Sequence, residues 1–432
     1  MEAVGEKPRR RGLRLAPKIV LFFAVFGPGL ITASADNDVG GITVYSQAGA
    51  QFGYAILWTL IPITIALMVV QEMSARMGAV TGKGLAGLIR EHFGVRWTFF
   101  VMVAFVASNV FTTAAEFAGV AVAAQIFHLP IYLIIPAVAF LVFFLVLRTD
   151  RGVAEKVFLV FSALYFTYVI SGFRAHPDWH EVWRGFLIPS FSHDQNYLWM
   201  IIALIGTTIS PWMQFYIQSS IVEKGIRVRD YAFSRIDVLF GCFVTDFMSF
   251  FMILATAATI FVFNVAHPHH QYTINETRDA AKALEPIAGQ FATMLFGFGL
   301  LNAGIFTASI LPLSTAFFVC EAGGFESGVG KRFSEAPTFF SLYAGVIFVG
   351  ALLVLIPGIP LLKLINYSQI ASGILLPFLL IFMLILINKK PLMGNYRNGP
   401  VFNTIAWGTA LIVGAITLLS VYQTIAQTFF SS

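Results

Sequence analysis

Four carboxylates stand inside long apolar runs: Asp36, Asp38, Glu116 and Asp246, while nearly all other acids lie in loops or at the ends of such runs. A charge at membrane depth costs on the order of several kcal/mol unless it faces a partner or a cavity, so each marks a path for ions or protons or a buried structural pair. Asp38 has the most telling surroundings. It follows Phe26-Gly27-Pro28-Gly29 and sits in Ala33-Ser34-Ala35-Asp36-Asn37-Asp38-Val39-Gly40-Gly41. Helix interiors disfavour Gly, Asp and Asn together, and broken backbone at that depth is tolerated only where it is buried in protein or lines a cavity. The run predicts an unwound, acidic midpoint that suits a cation, with Asp36 and Asn37 lining the same space. A second break is predicted at Gly206-Thr207-Thr208-Ile209-Ser210-Pro211, where proline removes a backbone donor and frees carbonyls that can coordinate an ion.

These breaks must be positioned by helices in lipid. The 432 residues are 58% apolar and 11% charged, with mean hydropathy +0.80, which excludes an ordinary soluble domain. A spanning helix needs about 20 mostly apolar residues. Eleven runs qualify, near 18–47, 54–80, 97–127, 130–148, 153–172, 197–222, 236–266, 286–320, 337–357, 361–388 and 403–426. Of the 27 Lys and Arg, 22 fall in the N-terminal tail and every second loop. This follows the positive-inside rule and places the N-terminus in the cytoplasm and the C-terminus outside. It also accounts for the pI of 9.1 without a nucleic-acid partner. The first run follows a basic stretch but is too long for a cleavable signal. Cys242 and Cys320 lie inside apolar runs and offer neither a disulfide framework nor a thiolate metal site.

The two predicted breaks fall in spans 1 and 6. That spacing is what an inverted repeat of two five-helix halves produces, with the binding site where the breaks meet. The expected architecture is an all-α integral membrane protein of about 11 transmembrane helices, leucine-transporter-like, with unwound helices 1 and 6. Residues 1–432 form one membrane domain, with repeat 1 at about 18–172, repeat 2 at about 197–388 and an extra helix at about 403–426.

At these residues the chain resembles the Nramp family of divalent-metal transporters. The similarity runs through Gly27-Pro28-Gly29, the Asp38 region, Gln51-Phe52-Gly53-Tyr54, Val80-Thr81-Gly82-Lys83, Ala115-Glu116-Phe117 and Ser210-Pro211. It continues through Ser368-Gln369, Leu376-Pro377-Phe378 and Leu392-Met393-Gly394. In that family span 1 carries Asp-Pro-Gly-Asn and span 6 carries Ala-x-x-Met-Pro-His. The Asp, Asn and Met side chains and the Ala carbonyl hold a dehydrated transition metal, and the His and the span 3 acids serve proton movement. Here Asp38 matches the Asp, but Val39 stands for the Pro and Gly41 for the Asn. Thr207 stands for the Ala, Ser210 for the Met and Trp212 for the His. Glu116 matches a span 3 acid, whereas Thr113 occupies the position of the preceding Asp. Gln369 matches a family Gln that approaches the ion, Leu375 replaces a second Gln, and Gln214 is a weaker candidate.

The departures point one way. A thioether favours transition metals, whereas carboxylate, hydroxyl, carbonyl and water suit hard ions. Gly41 and Ser210 also leave room for water, and Mg²⁺ sheds its octahedral shell reluctantly. The resemblance is therefore to the Nramp-related magnesium transporters, with Mn²⁺ as a second expected substrate. All eight His residues lie in loops or at span ends, so no intramembrane His titrates. Uncoupled transport is expected, with Glu116 kept as a candidate proton carrier. Two alternatives stay open: a proton-coupled Mn²⁺/Fe²⁺ importer of the Nramp type, and an organic-solute transporter of the same architecture. Asp38 opposes an anionic substrate for the latter. The sequence lacks an intramembrane HExxH pair, an activated Ser or a spaced Asp pair, so no enzyme is expected. The expected partners are divalent metal ions, transported rather than held as cofactors, and the lipid of a prokaryotic cell membrane; no obligatory protein partner is indicated.

Overall fold

Apolar sequence in lipid must satisfy every backbone group within the chain, which leaves helices as the local solution. A computed structural model describes Thr32 and residues 35–148, 166–268 and 290–430, and among them the ordered elements are helical throughout. The first is α1 (Val39–Phe52), which passes through a 3-10 segment (Gly53–Thr59) into α2 (Leu60–Thr81). Then come α3 (Leu85–Ile126), α4 (Ile131–Arg148), α5 (Phe166–Arg174) and α6 (Trp179–Leu187). The second half holds α7 (Gln195–Thr208), α8 (Pro211–Glu223), α9 (Tyr231–Thr256), α10 (Gln290–Gly323), α11 (Pro337–Val354), α12 (Leu361–Ile387) and α13 (Pro400–Phe430).

Among the described residues, eight helical stretches are long and apolar enough to cross a bilayer, and Ile131–Leu147 is a shorter apolar helix. One of the eight, Val39–Thr81, contains the end of candidate span 1 and all of candidate span 2. The first half of candidate span 1 and residues 153–165 of candidate span 5 lie outside the described residues.

Two local features differ from the expected boundaries. The third span begins at Leu85 rather than 97 because a short helical segment precedes it, set off at Gly94, whose φ of 81° and ψ of 173° leave the helical region. Residues 179–187, expected to be loop, form α6. Asp178 caps it by accepting from the backbone N–H groups of His180 and Glu181. The helix buries Val182 while exposing Trp183 and Leu187. Its charged residues and short length keep it below any span criterion, and its face pattern belongs to an amphipathic surface helix.

Small residues let the helices that flank the breaks approach closely, as expected where packing rather than hydrophobicity holds helices together. A Cβ added at Gly119 of α3 would lie 2.2 Å from a methyl of Val39, at the start of α1. On the other side, α7 crosses α12 almost backbone to backbone. A Cβ at Gly206 would lie 2.2 Å from the Gln369 carbonyl oxygen, and one at Gly373 would lie 2.5 Å from that of Ile202.

Candidate metal centre

The chain enters α1 through residues 35–38, which are non-helical and buried. Asp38 is the N-cap, with φ −73° and ψ −179°, and its Oδ1 accepts the Gly41 backbone N–H at 2.5 Å. The carboxylate thus faces the positive end of a helix, where anionic charge is favoured. Glu116 of α3 reaches the same helix start, its Oε2 accepting the Val39 N–H at 3.2 Å. The Asp38 and Glu116 carboxyl groups adjoin. Thr307 of α10 donates to the Ala35 carbonyl at 3.2 Å. Asn37 is taken up by α9: its amide donates to Thr245 Oγ1 at 3.4 Å and its Oδ1 accepts from Ser249 Oγ at 3.3 Å. Asp36 is 1% exposed and both its oxygens are without a hydrogen-bond partner.

Between α7 and α8 the helix lapses at Ile209 and Ser210, with Ser210 extended at φ −60° and ψ 134° and Pro211 opening the next helix. Proline fits the first helical position because its missing N–H would be unpaired there anyway. Ser210 Oγ donates to the Gly206 and Thr207 carbonyls at 2.7 and 3.1 Å, leaving its own lone pairs free. The Thr207 hydroxyl is buried without a partner. The two breaks are tied by Tyr45 of α1, whose hydroxyl lies 2.6 Å from Thr208 Oγ1.

Gln369 of α12 lies against Gly40, where an added Cβ would come within 1.8 Å of its Nε2, and its Oε1 is buried and unpaired. Gly41 has a comparable role beside Asp38. A Cβ there would stand 2.9 Å from the Asp36 carbonyl oxygen and 3.4 Å from Asp38 Oδ1. Any side chain at that position would wedge between two groups that face the break.

The family model described as natural resistance-associated macrophage protein-like matches residues 29–423. The chain belongs to the Nramp family. It is 27% identical over 419 residues to the divalent metal cation transporter MntH of Chromohalobacter salexigens, covering 93% of this chain and 91% of that one. It is 31% identical over 306 residues to MntH of Yersinia pestis, covering 68% and 71%. A crystal structure of the Eremococcus coleocola manganese transporter superposes with a TM-score of 0.76 at 21% identity, over 98% of this chain and 90% of that one. Mhp1, a nucleobase-cation-symport-1 family transporter, superposes with a TM-score of 0.58 at 15% identity, over 94% of each chain. At those identities the two structures speak for the fold alone, which is the all-α, leucine-transporter-like membrane architecture expected from the two breaks.

The Nramp positions that depart from the family pattern differ in where they sit. Trp212 is buried in α8, its ring 6.3 Å from that of Tyr216 and its indole N–H without a partner. Thr113 is buried in α3 and its methyl faces α11, where a Cβ on Gly350 would lie 2.9 Å from it. Gln214 accepts from Ser74 Oγ of α2 at 3.3 Å. The methionine nearest the second break, Met213, directs its sulfur to Gln71 of α2, with the amide nitrogen at 3.9 Å. A groove of about 560 Å³ lies beside Pro211, Phe215 and Leu375, but aromatic and aliphatic side chains line it and it offers an ion almost no donor atoms.

Sequence reasoning missed Tyr45, Thr208, Thr245, Ser249 and Thr307, the residues that hold the breaks in place. A signal existed on α9, where Cys242, Thr245, Asp246 and Ser249 recur at helical spacing in an otherwise apolar run.

Proposed function

We propose that this chain, a divalent metal cation transporter by family, carries Mg²⁺ with much of its water retained, takes Mn²⁺ as a second substrate, and needs no proton coupling. The ion would sit between the breaks, held by Asp38 and by oxygens of Thr207, Ser210 and Gln369, with no side chain at Gly41 to crowd the Asp38 carboxylate. The supporting observation is the donor set itself. One carboxylate, hydroxyls, an amide oxygen and freed carbonyls form a hard set, and the thioether of Met213, three residues after Ser210, is turned to Gln71. No His stands in the second break, where Trp212 is found. A divalent cation entering a cell polarised to 100 mV gains about 4.6 kcal/mol from the potential, so uptake proceeds without a second gradient. The N-terminus is placed in the cytoplasm on the positive-inside pattern.

A second reading, proton-coupled Mn²⁺ import, is favoured by one contact. Glu116 receives the Val39 N–H at the start of α1, so a proton arriving on Glu116 would weaken that bond and be felt beside Asp38. The similar proteins named for manganese and for divalent metals agree with this reading as well.

Uptake into proteoliposomes, with internal dyes for Mg²⁺ and pH read together, separates the two. Mg²⁺ entry without acidification, lost in Asp38→Ala, supports the proposal. Mn²⁺ entry with acidification and no Mg²⁺ signal overturns it. The double substitution Gly41→Asn with Ser210→Met should shift preference toward Mn²⁺ and away from Mg²⁺ in the same assay.

A further inference from the structure

Apart from Asp38 and Glu116, a second pair of acids is buried in the bundle. Asp36, in the first break, is 1% exposed, and Asp246, mid-way along α9, is 5% exposed. None of their four oxygens has a hydrogen-bond partner. The charges that act on Asp36 are those of Asp246 and Asp38, all of one sign. Asn37, next to Asp36 in the chain, donates to Thr245, next to Asp246, which brings the two acids to the same boundary between the first break and α9. Thr64 of α2 borders it next to Asp246. The neighbouring hydrogen bonds from Asn37 to Thr245 and Ser249 pin the break to α9 on this side.

Two carboxylates buried this close to one another are costly to ionise together, and a cation between them removes that cost. We propose that Asp36 and Asp246 form a second divalent-cation station, next to the Asp38 site and separate from it, with Tyr45 and Thr64 oxygens within the same shell. The ligands are hard oxygens, so the station takes Mg²⁺ or Mn²⁺ rather than a soft metal. Asp36 and Asp38 flank Asn37 on one short non-helical stretch. An ion held by Asp36 is therefore handed along the chain to Asp38 without leaving the break, and the station is a waypoint of the transport path. This inference rests on the chain carrying a divalent cation, but on neither the Mg²⁺ preference nor the absence of proton coupling.

The test counts bound ions. Full-length protein in nanodiscs is titrated with Mn²⁺ while free Mn²⁺ is followed by electron paramagnetic resonance. The wild type should hold two ions, Asp246→Asn one and Asp38→Ala one, and the double variant none. If Asp246→Asn does not fold, Asp36→Asn, which opens the pair from the other element, must give the same loss of one ion. A wild type that holds a single ion, lost in Asp38→Ala and kept in Asp246→Asn, overturns the second station and leaves the Asp38 site standing. Two ions retained in both Asp36→Asn and Asp246→Asn also overturn it, as does one proton taken up per pair with no second ion. A chain that binds no Mn²⁺ at all fails on both counts.

Discussion

The two breaks that meet at the centre of the bundle are built on opposite plans. The break before α1 is acidic, and other helices hold it: α3 through Glu116, α9 through Thr245 and Ser249, and α10 through Thr307. The break between α7 and α8 carries no charge and satisfies itself, with Ser210 bonded to carbonyls three and four residues earlier and Pro211 removing one donor. All the charge that could neutralise a metal ion is therefore on one side, while the other side offers neutral oxygen. The first break is bonded chiefly to its neighbours; the second is bonded chiefly within its own stretch of chain, with Tyr45 joining it through Thr208.

The largest effect should come from the charged side. Asp38→Ala removes the N-cap carboxylate of α1, and a hydrogen-bonding interaction with a charged group is worth up to about 3 kcal/mol, or about 100-fold in Kd. Isothermal titration with Mn²⁺ checks this, and a loss under tenfold would mean that the neutral break carries the ion. Next is Gly119→Ala, which drives a methyl into Val39. Overpacking costs about 1–3 kcal/mol, seen as a lower thermal midpoint, and Val39→Ala should recover most of it. Failure to recover would show that α3 does not position the first break. Thr307→Val should cost about 1 kcal/mol because it strips the Ala35 carbonyl of its donor. Ser210→Ala should cost less, since its hydroxyl bonds only to carbonyls of its own helix end and ties no second helix to the break. Equal losses in the melting of the two variants would erase the contrast. The smallest change is expected for Tyr45→Phe, about 1 kcal/mol or less, read as altered uptake rate more than altered melting because the bond joins the two breaks.

The fold was legible because its irregularities are written in residue types. Asp, Asn and Gly together disfavour a helix interior, Pro211 removes a backbone donor where Gly206 and two Thr already weaken the helix, and lipid leaves no alternative to helices elsewhere. Asp38 and Ser210 stand out for the same reason, while Gln369 is singled out only by the family resemblance; each lies at or against a break. The clamps were not legible. Thr245, Ser249 and Thr307 are single hydroxyls in apolar helices, a residue type that can also bond back to its own helix, as Ser249 does to the Thr245 carbonyl at 3.1 Å. Nothing in their spacing says that one faces a break more than 200 positions away in sequence, as Ser249 faces Asn37. Asn37 illustrates the limit from the other direction. Proximity in sequence puts it beside Asp38, and in the structure both ends of its amide are engaged by α9. Helix α6 escaped notice because an amphipathic surface helix of 9 residues resembles a loop in hydropathy.

The glycine crossing of α7 and α12 has a mechanical meaning. Helices normally interlock by setting ridges of side chains into grooves, and moving one past the other means lifting each tooth out of its notch. Where Gly206 meets Gly373 there are no teeth. The crossing is a close seat: the two backbones lie so near that not even a methyl fits between them at these glycines. A single methyl on either one would push α7 off α12 and carry Thr207 and Thr208 with it.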